Sequence, residues 1–159
     1  NVRLKKILAS KAFDQPKRYV FSKELTLDWN APFFNLPGQK VVVTSKRSLP
    51  KSARKIKNLS LLNCKSKGRF LDPKSFIKKI SRFQINNILL ESGPNLLGSF
   101  GDVNLIDEFI FYISPEKLGS QAEYFYKGKN KINFFDNEQF DIVEETQVGK
   151  DKKIVFRKK

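Results

Sequence analysis

Short apolar runs bounded by polar residues and turn formers recur along this chain, and they predict a series of strands. Lys17–Ser22, Lys40–Thr44 and Leu59–Asn63 are rich in β-branched, aromatic or other apolar residues. The β-branched run at Lys40–Thr44 is typical of a strand that is buried on both faces. A turn-rich stretch from Trp29 to Gly38 separates the first two strands.

Helical periodicity begins after Asp72-Pro73, a pair that suits the N-cap and the first position of a helix. Apolar residues then recur at helical spacing from Phe76 to Phe83. The remaining predicted elements are a strand at Asn87–Glu91, a short helix at Asn95–Phe100, a strand at Asp107–Ile113, and a hairpin formed by Phe140–Gln147 and Lys152–Arg157 around Gly149-Lys150-Asp151.

This alternation of strands and helices predicts an α/β fold, a three-layer sandwich with a mostly parallel central sheet and a C-terminal antiparallel hairpin. Parallel sheets of this kind bind ligands at the carboxyl ends of their strands. Three of the predicted ends carry polar groups: Ser22-Lys23, Thr44-Ser45-Lys46-Arg47 and Glu91-Ser92-Gly93.

Composition narrows the classes of protein to consider. The 159 residues are 40% hydrophobic, which fits one folded domain, and no apolar run approaches the roughly 20 residues of a membrane span.

A single cysteine, Cys64, rules out a disulfide within the chain and fits a buried thiol in a cytoplasmic protein. The absence of His disfavours a zinc site and Ser–His–Asp catalysis. Because the chain lacks Met and begins at Asn1, we expect the translated start to lie upstream.

The net charge of +15 attracts phosphate, nucleic acid or anionic membranes. Lys greatly outnumbers Arg, a composition that base-biased coding also produces. We therefore favour a solvated basic surface, with a local role in phosphate binding, over a nucleic-acid footprint.

The segment around Glu91 is the most informative part of the sequence. A strand ending in this carboxylate, followed by Ser92-Gly93-Pro94, would place an acceptor beside free backbone N–H groups that suit a phosphate. Spacing alone leaves two roles for Glu91 open: a substrate-binding carboxylate, or a helix-start carboxylate satisfied by neighbouring N–H groups. Gly98 could likewise admit a diphosphate or let the helix pack closely.

Two further candidates are cationic. Ser22-Lys23 would suit the phosphate of a nucleotide, although a plain surface lysine fits the spacing better. Lys46-Arg47 is a rival anion site with the same alternative.

Four segments resemble the reductase domain of riboflavin biosynthesis. Glu91–Phe100 (ESGPNLLGSF) resembles that family's VEGGPTLAGSF segment, and Leu105–Gly119 is similar to its GLVDELRLYIAPKLLG. Gln15–Phe21 is similar to its QPLRVVL, and Asn1–Leu4 to the end of its DDPxLTVRx stretch. The matches keep the family order and span nearly the whole chain.

The resemblance implies that the chain corresponds to the C-terminal reductase half of the bifunctional deaminase–reductase. It also implies a dihydrofolate-reductase-like fold and a homodimeric assembly. It implies NADPH-dependent reduction of 5-amino-6-(5-phosphoribosylamino)uracil to its ribitylamino product, without a metal. Arg3 and Glu91 would bind the substrate, and Ser22 or Lys23 would lie near the adenosine end of the cofactor. The residues that would wrap the NADPH diphosphate are Gly93, Pro94, Asn95, Leu96, Leu97, Gly98 and Ser99.

The sequence departs from the family in three respects. Ser22-Lys23 stands where the family commonly has Asp-Ser, and Ser92 replaces the second Gly of the motif. We also expect residues 1–159 to form a reductase domain that lacks the family's N-terminal strand and loops, completed by an upstream piece. Three alternatives stay open: a related reductase with another substrate, a non-enzymatic basic module for nucleic acid or a regulatory partner, and a degenerate reductase that keeps only the fold.

Overall fold

The computed structural model describes residues 15–130, 132 and 139–159. The chain divides after Arg82 into two compact units, each with its own sheet. Within the described residues, no helix has the length and apolar character needed to cross a membrane.

The first unit is built on a parallel sheet in which β2 (Lys40–Thr44) lies between β1 (Arg18–Phe21) and β3 (Leu59–Asn63). Every residue of β2 is buried, and Val42 and Val43 have no exposed surface. Three strands were predicted at these positions, and all three are confirmed. The β-branched run forms the central strand because both of its faces are covered.

Helices lie between and after these strands. They are α1 (Pro32–Asn35), a short 3₁₀ helix (Lys51–Lys55) and α2 (Pro73–Ile80). The helix start predicted at Asp72-Pro73 is confirmed, because the Asp72 carboxylate accepts a hydrogen bond from the Lys74 N–H at 3.1 Å. The first two helices, and a two-stranded hairpin of β4 (Ser66–Lys67) and β5 (Phe70–Leu71), were not predicted.

Helix α2 is held to the sheet by aromatic contacts. Phe76, which is only 2% exposed, meets the ring of Tyr19 edge-on at 5.4 Å and that of Phe21 at 4.9 Å. Buried aromatic pairs of this geometry stabilise a fold beyond the burial of their area. The apolar side of the predicted helix is therefore the side that covers β1.

The second unit contains α3 (Pro94–Gly101) and an antiparallel sheet. Its strands are β6 (Glu108–Ile113), β7 (Phe140–Val148) and β8 (Asp151–Lys158), with β8 in the centre. The short helix, the strand after it and the closing hairpin are confirmed within one or two residues. The core of this sheet is a buried cluster of Phe109, Phe140, Ile154 and Phe156.

The predicted strand at Asn87–Glu91 is wrong. The segment is not part of any sheet among the described residues, and Leu89 is 76% exposed. An extended apolar run becomes a strand only when a neighbouring strand receives its backbone hydrogen bonds, and no described strand does so here. For the same reason Glu91, expected at the end of a buried strand, is an exposed side chain.

Charge is divided unevenly between the two units. Residues 1–82 contain 21 Lys and Arg but only 4 Asp and Glu, whereas residues 83–159 contain 10 and 12. The positive surplus of the chain therefore belongs to the sequence of the first unit.

Candidate functional site

The start of α3 is open and uncapped. Gly93 occupies the N-cap, offers no side chain to the helix, and is followed by Pro94, which has no N–H. The N–H groups of Asn95 and Leu96 have no acceptor among the described residues. Free amides and the positive end of the helix dipole together suit an anion such as a diphosphate.

Gly93 is not required by the conformation of the chain itself. Its φ is −67°, which any residue can adopt, and a Cβ atom placed there would meet nothing within 4 Å. A side chain at this position would extend into open space at the start of the helix. The absence of a side chain therefore favours close approach by a ligand.

Gly98 has a different role. A Cβ atom there would lie 2.5 Å from the backbone of Lys127 and Gly128, so the glycine lets this loop pack directly on the helix. The Lys127 N–H also donates to the Pro94 carbonyl at 3.1 Å. Of the two explanations that the sequence left open, close packing is the one that this geometry favours.

Two side chains further along α3 have partners within the second unit. Leu97 packs against the buried cluster around Phe109 and Phe156. The Ser99 hydroxyl donates to the Leu96 carbonyl of its own helix at 2.8 Å. Leu97 therefore anchors the helix in its unit, and the Ser99 hydroxyl is occupied within the helix.

The Glu91 carboxylate makes no hydrogen bond or ion pair with any described residue. It is therefore available to a polar ligand near the start of α3. The other substrate-binding candidate, Arg3, lies outside the described residues.

The carboxyl ends of the parallel strands form a second polar region, in the first unit. The Ser22 N–H donates to the Val43 carbonyl at 2.9 Å, and the Lys23 carbonyl accepts from the hydroxyls of Thr44 at 2.8 Å and Ser45 at 3.0 Å. Of the three polar strand ends predicted, those at Ser22-Lys23 and at Thr44-Ser45-Lys46-Arg47 are confirmed, whereas Glu91-Ser92-Gly93 follows no strand among the described residues. The ends of β1 and β2 are thus fixed relative to one another by backbone and hydroxyl groups.

Two cations at this edge have different partners. The Lys23 ammonium donates to the Gly68 carbonyl at 2.9 Å, which directs it toward the turn between β4 and β5. Lys46 forms an ion pair of 2.6 Å with Glu24, and its hydrogen bond lowers the pKa of the Glu24 carboxyl below its usual value. Pairing with Glu24 makes Lys46 the weaker candidate for an anion.

Sequence reasoning missed Asn63, whose side-chain amide donates to the carbonyls of Ser45 at 2.9 Å and Lys46 at 3.0 Å. It thereby shapes the loop after β2. The available signal was a polar residue at the end of a predicted strand, the same signal that selected Ser22 and Thr44.

A parallel sheet with polar strand ends and a helix with free N-terminal amides are features of α/β domains that bind phosphate-bearing ligands. The profile of the RibD C-terminal domain family matches residues 1–152. The chain belongs to this family.

Individual relatives agree with this assignment. The chain is 42% identical over 98 residues to "Riboflavin biosynthesis protein RibD" of Buchnera aphidicola subsp. Baizongia pistaciae, covering 62% of this chain and 26% of that protein. It is 31% identical over 111 residues to "5-amino-6-(5-phosphoribosylamino)uracil reductase" of Buchnera aphidicola subsp. Acyrthosiphon pisum, covering 69% of this chain and 54% of that protein. The chain thus spans about a quarter and about half of these two relatives.

Solved structures with the same fold include Acinetobacter baumannii RibD, with a TM-score of 0.72 at 20% identity over 95% of this chain and 41% of that one. The Saccharomyces cerevisiae riboflavin biosynthesis reductase Rib7 gives a TM-score of 0.71 at 14% identity, over 92% of this chain and 71% of that one. The predicted α/β, dihydrofolate-reductase-like fold class is therefore confirmed.

Proposed function

We propose that this chain carries out the NADPH-dependent reduction of 5-amino-6-(5-phosphoribosylamino)uracil to its ribitylamino product. Membership of the RibD C-terminal domain family and the reductase name of a relative support the reaction class. The observation that carries the proposal is the uncapped start of α3, where the N–H groups of Asn95 and Leu96 have no acceptor among the described residues and a Cβ atom at Gly93 would meet nothing within 4 Å. A cytoplasmic homodimer is part of the same proposal, on the resemblance alone.

The residues around α3 fit the diphosphate of the cofactor. The N–H groups of Asn95 and Leu96 would donate to its oxygens, and the lack of a side chain at Gly93 leaves room for it. Pro94 fixes the first turn of the helix, Leu97 and Gly98 hold the helix against its own unit, and the Ser99 hydroxyl bonds within the helix. When bound, NADPH supplies the hydride, and the protein supplies position and electrostatics.

Ser22 and Lys23 are proposed for the adenosine end of the cofactor. Among the described residues, the Ser22 hydroxyl has no hydrogen-bond partner, so it can bond to a ligand. The Lys23 ammonium has one acceptor, the Gly68 carbonyl, and two further N–H groups to offer. A hydroxyl beside an ammonium can hold the extra phosphate that distinguishes NADPH from NADH.

Glu91 and Arg3 are proposed as substrate ligands. The Glu91 carboxylate is exposed and has no partner among the described residues, so it can accept hydrogen bonds from an amino or hydroxyl group of the substrate. Arg3 would supply a cation for the substrate phosphate.

The test is NADPH binding to the whole chain and to Gly93→Val, with thermal unfolding to check the fold. The wild type should bind NADPH, and Gly93→Val should lose at least about a hundredfold in affinity, because a side chain would block the free amides. Gly119→Val is the matched control: a Cβ atom there also meets nothing within 4 Å, and the residue lies outside α3. Equal NADPH affinity in all three proteins would show that the turn is only structural.

Activity is then measured as NADPH oxidation with the phosphoribosylaminouracil and with other carbonyl substrates. Turnover of the first substrate alone supports the proposal, and turnover of a different substrate alone supports the related reductase. Salt-dependent binding to random RNA or DNA, without NADPH affinity, would contradict the reductase assignment in favour of a basic binding module.

A further inference from the structure

The first unit has an open cleft at the amino ends of β2 and β3. Its volume is about 720 Å³, and the first residue of β2, Lys40, and the residue before β3, Asn58, both line it. This is the edge of the parallel sheet opposite the one that carries Ser22 and Lys23, because parallel strands end together. The cleft is therefore separate from the strand ends proposed for the cofactor.

Lys40 is a buried cation in the wall of this cleft. It is only 3% exposed, and its ammonium donates to the Leu36 carbonyl at 2.8 Å. No carboxylate forms an ion pair with it among the described residues. An ammonium has three N–H donors, and this one has a single neutral acceptor among the described residues, so two N–H groups are left for a partner in the cleft. An anion bound in the cleft would supply the missing partner.

The other walls combine cations with aromatic rings and one carboxylate, Asp28, whose Oδ1 accepts from the Asn30 N–H at 2.9 Å. Lys55 and Lys57 line the cleft and are exposed, so they can turn toward an anion that Lys40 has bound. Trp29 and Phe34 also line it, with their ring centroids 5.1 Å apart. A planar ring can stack on such a surface, as bases do on aromatic side chains.

We propose that this cleft binds a free mononucleotide, with its phosphate at Lys40 and its base against Trp29. The phosphate supplies a negative charge that balances the cationic lysines, and the base supplies a flat apolar face. The volume is within the range of small-molecule sites. Asn30, Asn35 and Asn58, which also line the cleft, offer amide donors and acceptors to the base and ribose.

Trp29 is the only tryptophan of the chain, so its fluorescence reports directly on the cleft. The whole chain is titrated with adenosine monophosphate, uridine monophosphate, adenosine and ribose 5-phosphate, and calorimetry checks each affinity. The monophosphates should quench Trp29 and bind at least about tenfold more tightly than adenosine or ribose 5-phosphate, since only they supply both groups. No quenching and no heat with either monophosphate at millimolar concentration would overturn the proposal.

Lys40→Met separates binding from folding. Lys40 is buried and has no acidic partner among the described residues. Replacing it with an apolar side chain of similar length should therefore keep or raise the unfolding temperature, while nucleotide affinity falls at least about tenfold. A lower unfolding temperature with unchanged affinity would mean that Lys40 only caps the end of α1, which would overturn the proposal.

A second pair of variants does not disturb the core. Lys51 and Lys55 are both exposed on the same 3₁₀ helix, but only Lys55 lines the cleft. Lys55→Gln should weaken nucleotide binding about three- to fivefold, and Lys51→Gln should leave it unchanged. Equal losses would show a diffuse charge effect rather than a site.

Two more control variants distinguish binding in the cleft from binding at the proposed cofactor site. Gly93→Val and Lys23→Gln should leave mononucleotide affinity unchanged, whatever they do to NADPH. If either abolishes it, the mononucleotide is using the cofactor site, and the cleft proposal fails. Binding of single-stranded RNA more tightly per nucleotide than the free monophosphate would also overturn the assignment to a small molecule.

Discussion

The first unit, up to Arg82, and the second, from Phe83, differ in how their strands are paired. In the first, β1, β2 and β3 lie side by side in the order of the chain. In the second, β6 and β7 both pair with β8, which comes last in the sequence. The first sheet is thus assembled from neighbours along the chain, whereas the second depends on a partner strand from its far end.

The two units also differ in how their charges are compensated. In the second, cations and carboxylates on facing strands pair across the sheet, as in Arg157–Glu108 at 2.9 Å, Lys153–Glu144 at 2.7 Å and Lys152–Glu145 at 2.6 Å. The first 82 residues have only 4 acidic side chains for 21 basic ones. The sequence of the first unit thus carries far more basic than acidic side chains, and this positive surplus attracts phosphate-bearing ligands.

The largest expected effect tests whether the first unit depends on its own core. Phe76→Ala removes the ring packed on Tyr19 and Phe21 and should lower the free energy of unfolding by about 3–5 kcal/mol. Phe70→Ala, at a site that is 47% exposed, should cost less than about 1 kcal/mol. Urea denaturation measures both, and similar losses would contradict the assigned core.

The next prediction concerns α3 in the second unit. Gly98→Ala should destabilise the protein by about 2–3 kcal/mol, because the new Cβ atom would meet the backbone of Lys127 and Gly128, despite the better helix propensity of Ala. Gly93→Ala, with open space around it, should cost less than about 1 kcal/mol. A stabilised Gly98→Ala protein in urea denaturation would show that the loop does not pack there.

A smaller effect is expected at the carboxylate that precedes α3. Glu91→Gln should lower kcat/KM for the substrate about five- to thirtyfold, about 1–2 kcal/mol, while NADPH affinity stays within about twofold. Glu116→Gln, another exposed carboxylate of the second unit, should change neither. Steady-state kinetics and NADPH titration measure the two quantities, and equal losses of both at Glu91 would refute a role in substrate binding.

The smallest effect concerns the buried thiol at the end of β3. Burial raises the pKa of Cys64 above its usual value. Since the folded state keeps the proton longer, this thiol stabilises the fold below its unfolded pKa of about 8.5, and the contribution is lost as pH rises. Between about pH 8 and about pH 10 the wild type should lose more stability than Cys64→Ala. Identical pH profiles in urea denaturation would contradict this.

Sequence reasoning succeeded where the information is local. The Asp72-Pro73 helix start and the β-branched run of β2 were identified because capping chemistry and burial on both faces leave a pattern in a few adjacent residues. The strand predicted at Asn87–Glu91 was wrong because an apolar run alone does not show whether a partner strand lies beside it.

The candidate site, too, could be predicted from the sequence only where the information is local. The free amides after Gly93 follow from a Gly-Pro helix start, so the sequence was sufficient to find them. The packing role of Gly98 was open, because the loop at Lys127 and Gly128 that contacts it is distant in sequence. The buried cation at Lys40 was not recognised, because a lysine at the first position of a strand resembles an exposed one until its surroundings are known.

The most direct test of the central claim is an NMR titration of the backbone amides with NADPH. If the open start of α3 holds the diphosphate, the N–H signals of Asn95 and Leu96 should move most, while those of the β7–β8 turn at Gly149 and Lys150 stay in place. NADPH binding that leaves Asn95 and Leu96 unmoved would contradict the claim.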